Sequence, residues 1–382
     1  ADLFGGKLMG IVATSALELG VDVGGLDAVV MSGYPGTVAS FRQQLGRTGR
    51  STNESLAVLI AGENQLDQWI CDNPTEIFER PAERATVSLD NPHLFVPHLG
   101  CASHEFPLTS ADSEFWPSQL DEGVRQLVTS DRCRISERVG PSGSSEPAVS
   151  WIGRGSPAPT ISLRSSGQGE FRIVHAQELE PDTPPQLIGT IPEASLYTAA
   201  HLGAIYLHQG SAWKVTDIDE ATRCVTVERD AGDTYTLARS TKSVSILRTD
   251  DSIDHAGWRI SIGSVRVSTV VTGYQIRSVA THEVIGREAL DVPDSTLLTR
   301  AIWYTFDDDF IAGAGIDPPE VAGSLHAAEH AAIGLLPLFA ICDRWDVGGL
   351  STPSLGDTKS PAIIIHDAFQ GGSGMAEMAF EV

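Results

Sequence analysis

Hydrophobic runs in the first part of the chain alternate with short polar segments. Apolar stretches cover residues 8–13, 26–32 and 55–62, and a helical segment, FRQQL, lies in the interval between the second and the third. Short apolar runs separated by turns and short helices are typical of buried strands in a parallel sheet. The pattern therefore predicts part of a parallel α/β lobe over residues 1–62.

The hydrophobic pattern changes to a helical period after this region. Residues 63–84 alternate as an amphipathic helix does, and residues 85–150 mix short apolar pieces with polar loops such as GPSGSSEP. A run of Gly, Ser and Pro is typical of a loop or a linker. Residues 63–150 are therefore interpreted as a connector followed by a small helical, winged-helix-like unit.

The second half of the chain is rich in strand signals. Short runs of β-branched and aromatic residues, separated by turn residues, fill 151–255 and predict an antiparallel barrel or sandwich. Residues 256–382 continue in strands, then show a clear helix at 318–341 and a strand, glycine loop and helix start at 362–377. They predict a C-terminal α+β domain.

Charge and cysteine content narrow the function classes. The chain of 382 residues has 26 basic and 50 acidic residues and a formal net charge of −24, which argues against electrostatic attraction of nucleic acid by the whole chain but allows a local basic groove. Five dispersed cysteines without a CxxC pair predict neither a disulfide framework nor a cysteine zinc site. With no signal peptide or spanning segment in the sequence, a reducing, cytoplasmic location without membrane contact is expected.

One short stretch, QQLGRTGRS at residues 43–51, carries candidate chemistry. It holds Arg47 and Arg50 three residues apart, interleaved with Gly46 and Gly49. Arginine presents a planar, permanently charged fork that suits phosphate oxygens, and glycines allow the backbone to turn tightly beside it. The stretch predicts one side of a triphosphate site. A solvated surface turn is the alternative for an isolated motif of this kind.

The arginine stretch and the preceding ATSALELGVD resemble motifs V and VI of superfamily 2 helicases, in order and at the right separation. The resemblance implies a RecA-like lobe in which Arg47 and Arg50 are catalytic and reach the β- and γ-phosphates of ATP held on a partner lobe. It assigns the ATP-binding positions Gly20, Asp22, Gln43 and Gly46, with Asp22 contacting the ribose or the arginines. It places the nucleic-acid backbone near Thr14 and Ser15.

Blocks across nearly the whole chain, including GAIYLHQG and HDAFQGGSGMAE, resemble the bacterial mitomycin-repair DNA helicases, whose fungal relatives are RecQ4-like. That family implies ATP and Mg²⁺ as cofactors, translocation from three-prime to five-prime on single-stranded DNA, and possible DNA-repair protein partners. A GxxxxGK[ST] phosphate loop and a DExH box occur nowhere in this sequence. We therefore expect a C-terminal fragment that does not hydrolyse ATP alone. Zinc is expected to be doubtful, because the family's four-cysteine cluster is not reached.

The stretch HAAEH suggests a different chemistry. His326, Glu329 and His330 fall on one face of the predicted helix and match the HxxEH pattern of inverted zinc peptidases, in which the acid activates a water. Neighbouring apolar residues favour instead a buried hydrogen-bonding hub, so no metal ligand is assigned and a zinc metallohydrolase is the least favoured function. Gly371–Gly374 offers a further weak candidate for phosphate contact. The main alternative to a helicase is a non-catalytic DNA- or protein-binding module.

Overall fold

The structure, a computed structural model, describes residues 7–14, 26–49, 54–139, 145–161, 169–175, 185–342 and 345–381. The fold is mixed α/β with large β-rich sheets, which confirms the coarse class expected from the pattern. Among the helices of these residues, none is long and apolar enough to cross a membrane.

The first unit is a small parallel sheet with a helix in its crossover. Strand β1 (Ala28–Ser32) pairs in parallel with β2 (Leu56–Ile60), and helix α1 (Val38–Leu45) connects them. Both strands and the helix confirm the sequence pattern. One hydrophobic cluster joins this unit to the following helices and contains Met31, Tyr34, Phe41, Ile70 and Ile77.

The predicted buried strand at residues 8–13 is wrong. The described segment 7–14 has no strand, and the side chains of Met9 and Val12 are fully exposed. A strand in a parallel sheet needs hydrogen-bonding neighbours and cover on both faces, and the sheet described here consists of β1 and β2. The hydrophobicity of a short segment does not predict whether such neighbours are present.

A helical unit follows, with a two-stranded antiparallel hairpin at its end. Its elements are α2 (Gln65–Asp72), α3 (Thr75–Glu79), α4 (Pro92–Glu105), α5 (Leu120–Thr129), β3 (Cys133–Val139) and β4 (Ser145–Trp151). Its core contains Leu99, Leu108, Leu120, Leu127, Cys133 and Val149. The helices agree with the small helical unit predicted here. The predicted loop at 140–147 is wrong from residue 145 onward, because residues 145–147 pair with β3. The winged-helix-like assignment stays a prediction.

A five-stranded sheet comes next, in the order β6-β5-β9-β8-β7. It consists of β5 (Glu170–His175), β6 (Gln186–Pro192), β7 (Ile205–His208), β8 (Ser211–Asp219) and β9 (Cys224–Arg229), with the short helix α6 (Leu196–Ala199) before β7. Of the four pairs of neighbouring strands, three are antiparallel and one, β5 with β9, is parallel. The expectation of an all-antiparallel unit is therefore wrong at this pair, because the chain returns through β7 and β8 before β9 joins β5.

The largest sheet follows the order β10-β11-β13-β15-β14, with β12 paired to β11. Its strands are β10 (Thr234–His255), β11 (Trp258–Ser278), β12 (Val284–Ala289), β13 (Ser295–Phe306), β14 (Val347–Thr352) and β15 (Ala362–Asp367). Helices α7 (Asp308–Gly313), α8 (Val321–Leu335) and α9 (Met375–Glu381) accompany it. The strand–loop–helix predicted at 362–377 appears. The helix predicted at 318–341 appears as α8 with a 3₁₀ turn on each side, Pro318–Glu320 and Leu336–Leu338, and it ends before 341 because Pro337 has no backbone N–H to continue it.

This sheet has two hydrophobic layers. In the first layer, Ile260, Ile302 and Ile365 pack against Leu325 of α8 and Met375 of α9. The second layer is a separate hydrophobic cluster that contains Val265, Trp303 and Ile364. The β10–β11 hairpin joins residues on both sides of position 255, where the pattern separated two units. The proposed division into 1–62, 63–150, 151–255 and 256–382 stays a prediction.

Candidate functional site

The arginine stretch begins as a helix and ends as a tight turn. Thr37 caps α1 by accepting a hydrogen bond from Ser40 N at 3.0 Å. Gly46 N still donates to Arg42 O at 2.9 Å, which is the four-residue spacing of an α-helix, but Arg47 N donates to Gln44 O at 3.1 Å, the three-residue spacing of a tighter turn. The helical geometry therefore stops immediately before the arginine.

The turn is attached to the strand side of the unit. Thr48 forms a parallel bridge with Leu26, and Gly49 N donates to Leu26 O at 3.4 Å. Gly49 has φ +68°, a left-handed conformation that glycine adopts without strain. Arg47 is half-buried between these attachments. The turn consequently holds Arg47 close to the segment that leads into β1.

Helix α1 is held at both ends by hydrogen bonds to residues distant in sequence. Its first amides, Val38 N and Ala39 N, donate to the buried Glu83 carboxylate at 2.6 and 3.0 Å. A negatively charged carboxylate at this position also interacts favourably with the positive end of the helix dipole. Near the other end, Arg42 Nη2 donates to the carbonyls of Phe78 and Arg80 at 3.1 and 2.7 Å. These contacts fix α1 against the helices that follow.

Asp67 organises the carboxyl ends of the two parallel strands. Its side chain is 2% exposed and accepts hydrogen bonds from Tyr34 N at 3.1 Å and from Gly62 N at 2.6 Å. Gly33 N donates to Ile60 O at 2.8 Å beside it. Ligands of open α/β sheets bind at the carboxyl ends of strands, so Asp67 fixes the loops at the edge where such a site would form.

The predicted site residues divide into two groups. Gln43, Gly46 and Arg47 lie together on the last turn of α1 and the turn after it, and Thr14 lies exposed in the segment 7–14. The remaining predicted residues lie outside the described part of the chain: Ser15, Gly20, Asp22 and Arg50. Their roles stay predictions.

The HAAEH residues meet on α8, as the spacing predicted. The imidazole rings of His326 and His330 are 4.5 Å apart and nearly perpendicular, with their Nε2 atoms 3.2 Å apart. Both histidines are exposed, and only Glu329 is buried. The expectation of a wholly buried hub is therefore wrong for the imidazoles, because they stand on the solvent side of the helix while the acid turns toward the sheet.

Glu329 packs against strand β14. Its Oε2 accepts a hydrogen bond from Ser351 Oγ at 2.6 Å and lies 3.2 Å from His326 Nδ1. A Cβ at Gly349 would lie 2.3 Å from Glu329 Oε1, and a Cβ at Gly348 would lie 2.5 Å from the His366 ring. Successive strand residues face opposite sides of a sheet, so the two glycines make room for two buried side chains on opposite faces.

The glycine loop at 371–374 has its amides already occupied. Asp367 is fully buried and accepts hydrogen bonds from the amides of Ser373, Gly374 and Ala376 at 2.5, 3.0 and 2.9 Å. Burial, followed by the charge of Glu377, raises the pKa of Asp367 to about 6 despite these hydrogen bonds. The carboxylate takes the place that the sequence offered to a phosphate.

Asn91 links the helical unit to this loop. Its Nδ2 donates to Gln370 O at 2.7 Å and to Gly372 O at 2.6 Å, while its Oδ1 caps α4 by accepting from His93 N. The residue is 3% exposed. Asn91, Glu83 and Asp67 were all missed by sequence reasoning. A helix-capping position before Pro92 was the only local signal, and it concerns Asn91 alone.

Two family models match the ends of the chain. The helicase conserved C-terminal domain matches residues 2–52, and the MrfA Zn-binding domain matches residues 328–382. The first match contains the arginine turn. The second contains Glu329, His330 and the glycine loop.

Similarity also extends over nearly the whole chain. The uncharacterized ATP-dependent helicase YprA of Bacillus subtilis is 32% identical over 379 residues, which cover 98% of this chain and 48% of YprA. The crystal structure of the DUF1998 helicase MrfA bound to DNA matches with a TM-score of 0.65 at 31% identity, covering 100% of this chain and 49% of that one. The chain belongs to the MrfA-like family of superfamily 2 helicases.

The chain is also similar to a eukaryotic helicase. The ATP-dependent helicase hrq1 of Schizosaccharomyces pombe is 28% identical over 347 residues, which cover 89% of this chain and 30% of hrq1. The chain spans about half the length of YprA and of MrfA. These matches confirm the family resemblance read from the helicase motifs.

The expectation that zinc is doubtful is wrong, because the match to the MrfA Zn-binding domain supports this metal. The matched residues contain one cysteine, Cys342, which is 4% exposed. One thiolate does not make the four-cysteine set of a structural zinc site. Among the described residues, the set with metal-ligand chemistry at close range is His326, Glu329 and His330, whose ligand atoms lie within 4.8 Å of one another.

Proposed function

We propose that this chain forms part of an ATP-dependent DNA helicase that moves from three-prime to five-prime on single-stranded DNA during DNA repair. The single observation that carries the proposal is the anchored arginine turn, in which Arg47 follows α1 and is tied back to Leu26. In the proposed enzyme, ATP and Mg²⁺ are held between two lobes. This chain supplies the arginine side and does not hydrolyse ATP by itself.

The proposed role of the arginines follows from phosphoryl-transfer chemistry. Negative charge in the transition state spreads over the equatorial oxygens of the γ-phosphate, and an arginine placed in advance stabilises that charge. Glu83 and Arg42 hold α1 at its two ends, so the turn needs little reorganisation when nucleotide arrives. We assign Arg47 and Arg50 to the β- and γ-phosphates on this basis.

The other site residues complete the proposed coupling. Gln43 and Gly46 share the turn with Arg47 and are assigned to the nucleotide side, together with Gly20 and Asp22. Thr14 and Ser15 are assigned to the DNA backbone. Exposed apolar side chains on β1 and β2, including Val30 and Ile60, fit a larger parallel sheet that covers them in the complete lobe.

The experiment that tests the proposal uses the full-length protein. Arg50→Ala and Arg47→Ala are each expected to lower ATP turnover about 10³-fold or more, while the affinity for a nonhydrolysable ATP analogue changes little. Arg125→Ala is the matched control, because Arg125 is exposed on α5 and paired with Glu122. Turnover that stays at the level of the control in both variants refutes the assignment.

A non-catalytic DNA- or protein-binding module is the second candidate. The 382-residue chain would then bind single-stranded DNA on its own, with an affinity that falls as salt increases. Undetectable binding at low salt argues against this candidate and leaves the two-lobed helicase proposal untouched. A zinc metallohydrolase is not favoured, since Glu329 is buried and already accepts a hydrogen bond from Ser351.

A further inference from the structure

The imidazoles of α8 form a pair that solvent can reach. The His326 side chain is 62% exposed, and His330, one turn later, is also exposed. Their Nε2 atoms are 3.2 Å apart. Two nitrogen ligands of one tetrahedral Zn²⁺, each about 2.0–2.1 Å from the metal, are separated by about 3.3 Å. The two rings therefore already stand at the spacing that a shared ion requires.

One of the two rings is oriented by a buried carboxylate. Glu329 Oε2 lies 3.2 Å from His326 Nδ1, and the same oxygen accepts a hydrogen bond from Ser351 Oγ. A carboxylate at Nδ1 keeps the proton on that nitrogen, so the lone pair of the neutral ring is on Nε2. Histidine ligands of metals are usually oriented in this way by a carboxylate or a carbonyl.

The orienting carboxylate is itself fixed by the sheet. Glu329 is 6% exposed, and its Oε1 lies where a Cβ at position 349 would stand. Ser351, two residues further along β14, supplies the hydrogen bond. The arrangement is therefore a layered one, from strand to carboxylate to imidazole to solvent. A simple hydrogen bond between two histidines would need neither the carboxylate nor the strand behind it.

We propose that His326 and His330 bind one divalent transition-metal ion, of the borderline class that includes Zn²⁺, through their Nε2 atoms. Glu329 positions His326, and water fills the remaining coordination positions. This site consists of imidazoles and is distinct from a four-thiolate site. It does not depend on the helicase proposal, since its residues lie on α8 and β14 rather than on the arginine turn.

Metal binding by the purified 382-residue chain, produced without a polyhistidine tag, tests the proposal. Titration with Co²⁺ is followed by visible absorption, and Zn²⁺ is then added as a competitor. One ion per chain is expected, without the charge-transfer band that thiolate ligands give. His330→Ala is expected to weaken binding at least 10-fold, and Glu329→Gln about 10- to 100-fold. His98→Ala, which removes an exposed imidazole on α4, should leave binding unchanged.

Three outcomes would overturn the site. The first is no Co²⁺ binding by the unmutated chain at micromolar protein and excess metal, and the second is equal affinity in the unmutated chain and His330→Ala. The third is a thiolate charge-transfer band that survives in His330→Ala, since it places the ion on cysteine. His330 is exposed, so circular dichroism of the variant should match that of the unmutated chain and separate lost binding from lost folding.

Discussion

The carboxylate of Glu329 lies directly against the backbone of Gly349, so closely that position 349 has no room for a side chain. A Cβ built there would be 2.3 Å from Glu329 Oε1 and 2.7 Å from Ile333 Cδ1. Glu329 cannot simply move aside, because it is buried and hydrogen-bonded to Ser351. The contact joins α8 to β14 and connects the exposed histidines with the interior of the domain.

We expect Gly349→Ala to destabilise the protein by about 1–3 kcal/mol, because the new methyl group forces the carboxylate out of its place. The free energy of unfolding, measured by urea denaturation, checks this. Gly334→Ala in α8 is the matched control, since a Cβ there meets nothing within 4 Å. The control should change stability by less than about 1 kcal/mol, in the stabilising direction. Equal stability of the two variants would contradict the contact.

The buried Asp367 predicts a pH dependence of stability. Burial raises its pKa from 3.8 to about 6 in the folded protein, so the folded state binds more protons than the unfolded state between these values. The contribution of Asp367 is therefore fully present below about pH 4 and is lost as the pH rises through about 6. A difference of two pKa units corresponds to roughly 3 kcal/mol.

Asp367→Asn should remove this dependence. We compare the free energies of unfolding of the unmutated chain and of the variant. The stability advantage of the unmutated chain is expected to decrease by about 2–3 kcal/mol between pH 4 and pH 7. Asp294→Asn, at an exposed carboxylate, serves as the control for the substitution itself. A pH-independent difference for Asp367→Asn would show that folding does not raise the pKa of this carboxyl group.

The stability of helix α1 depends on Glu83, which is 45 positions from Val38 in the sequence. Glu83→Gln replaces one of the two oxygens that accept from Val38 N and Ala39 N by a donor group. The expected cost is about 1–2 kcal/mol, and it should be greatest at the start of α1. Hydrogen exchange of the α1 amides measures it. Exchange as slow as in Glu79→Gln, which changes an exposed glutamate of α3, would mean that Glu83 does not hold the helix.

The elements around the arginine turn could be predicted from the sequence, because their signals are local. β1, β2 and α1 follow from runs of apolar residues and from helical spacing. The spacing of His326, Glu329 and His330 likewise placed them on one helical face. What failed was the strand at residues 8–13, since its hydrophobicity could not reveal whether neighbouring strands would cover it.

The amino-acid sequence by itself determined the helicase motifs, the strand-rich second half and the order of the elements, since these depend on residue type and on periods of a few positions. Only the tertiary structure decided that Glu83 holds α1, that Asp367 fills the glycine loop, and that Gly349 receives Glu329. The physical reason is that a carboxylate can satisfy any nearby amide. Which amides come near is fixed only when distant segments pack together.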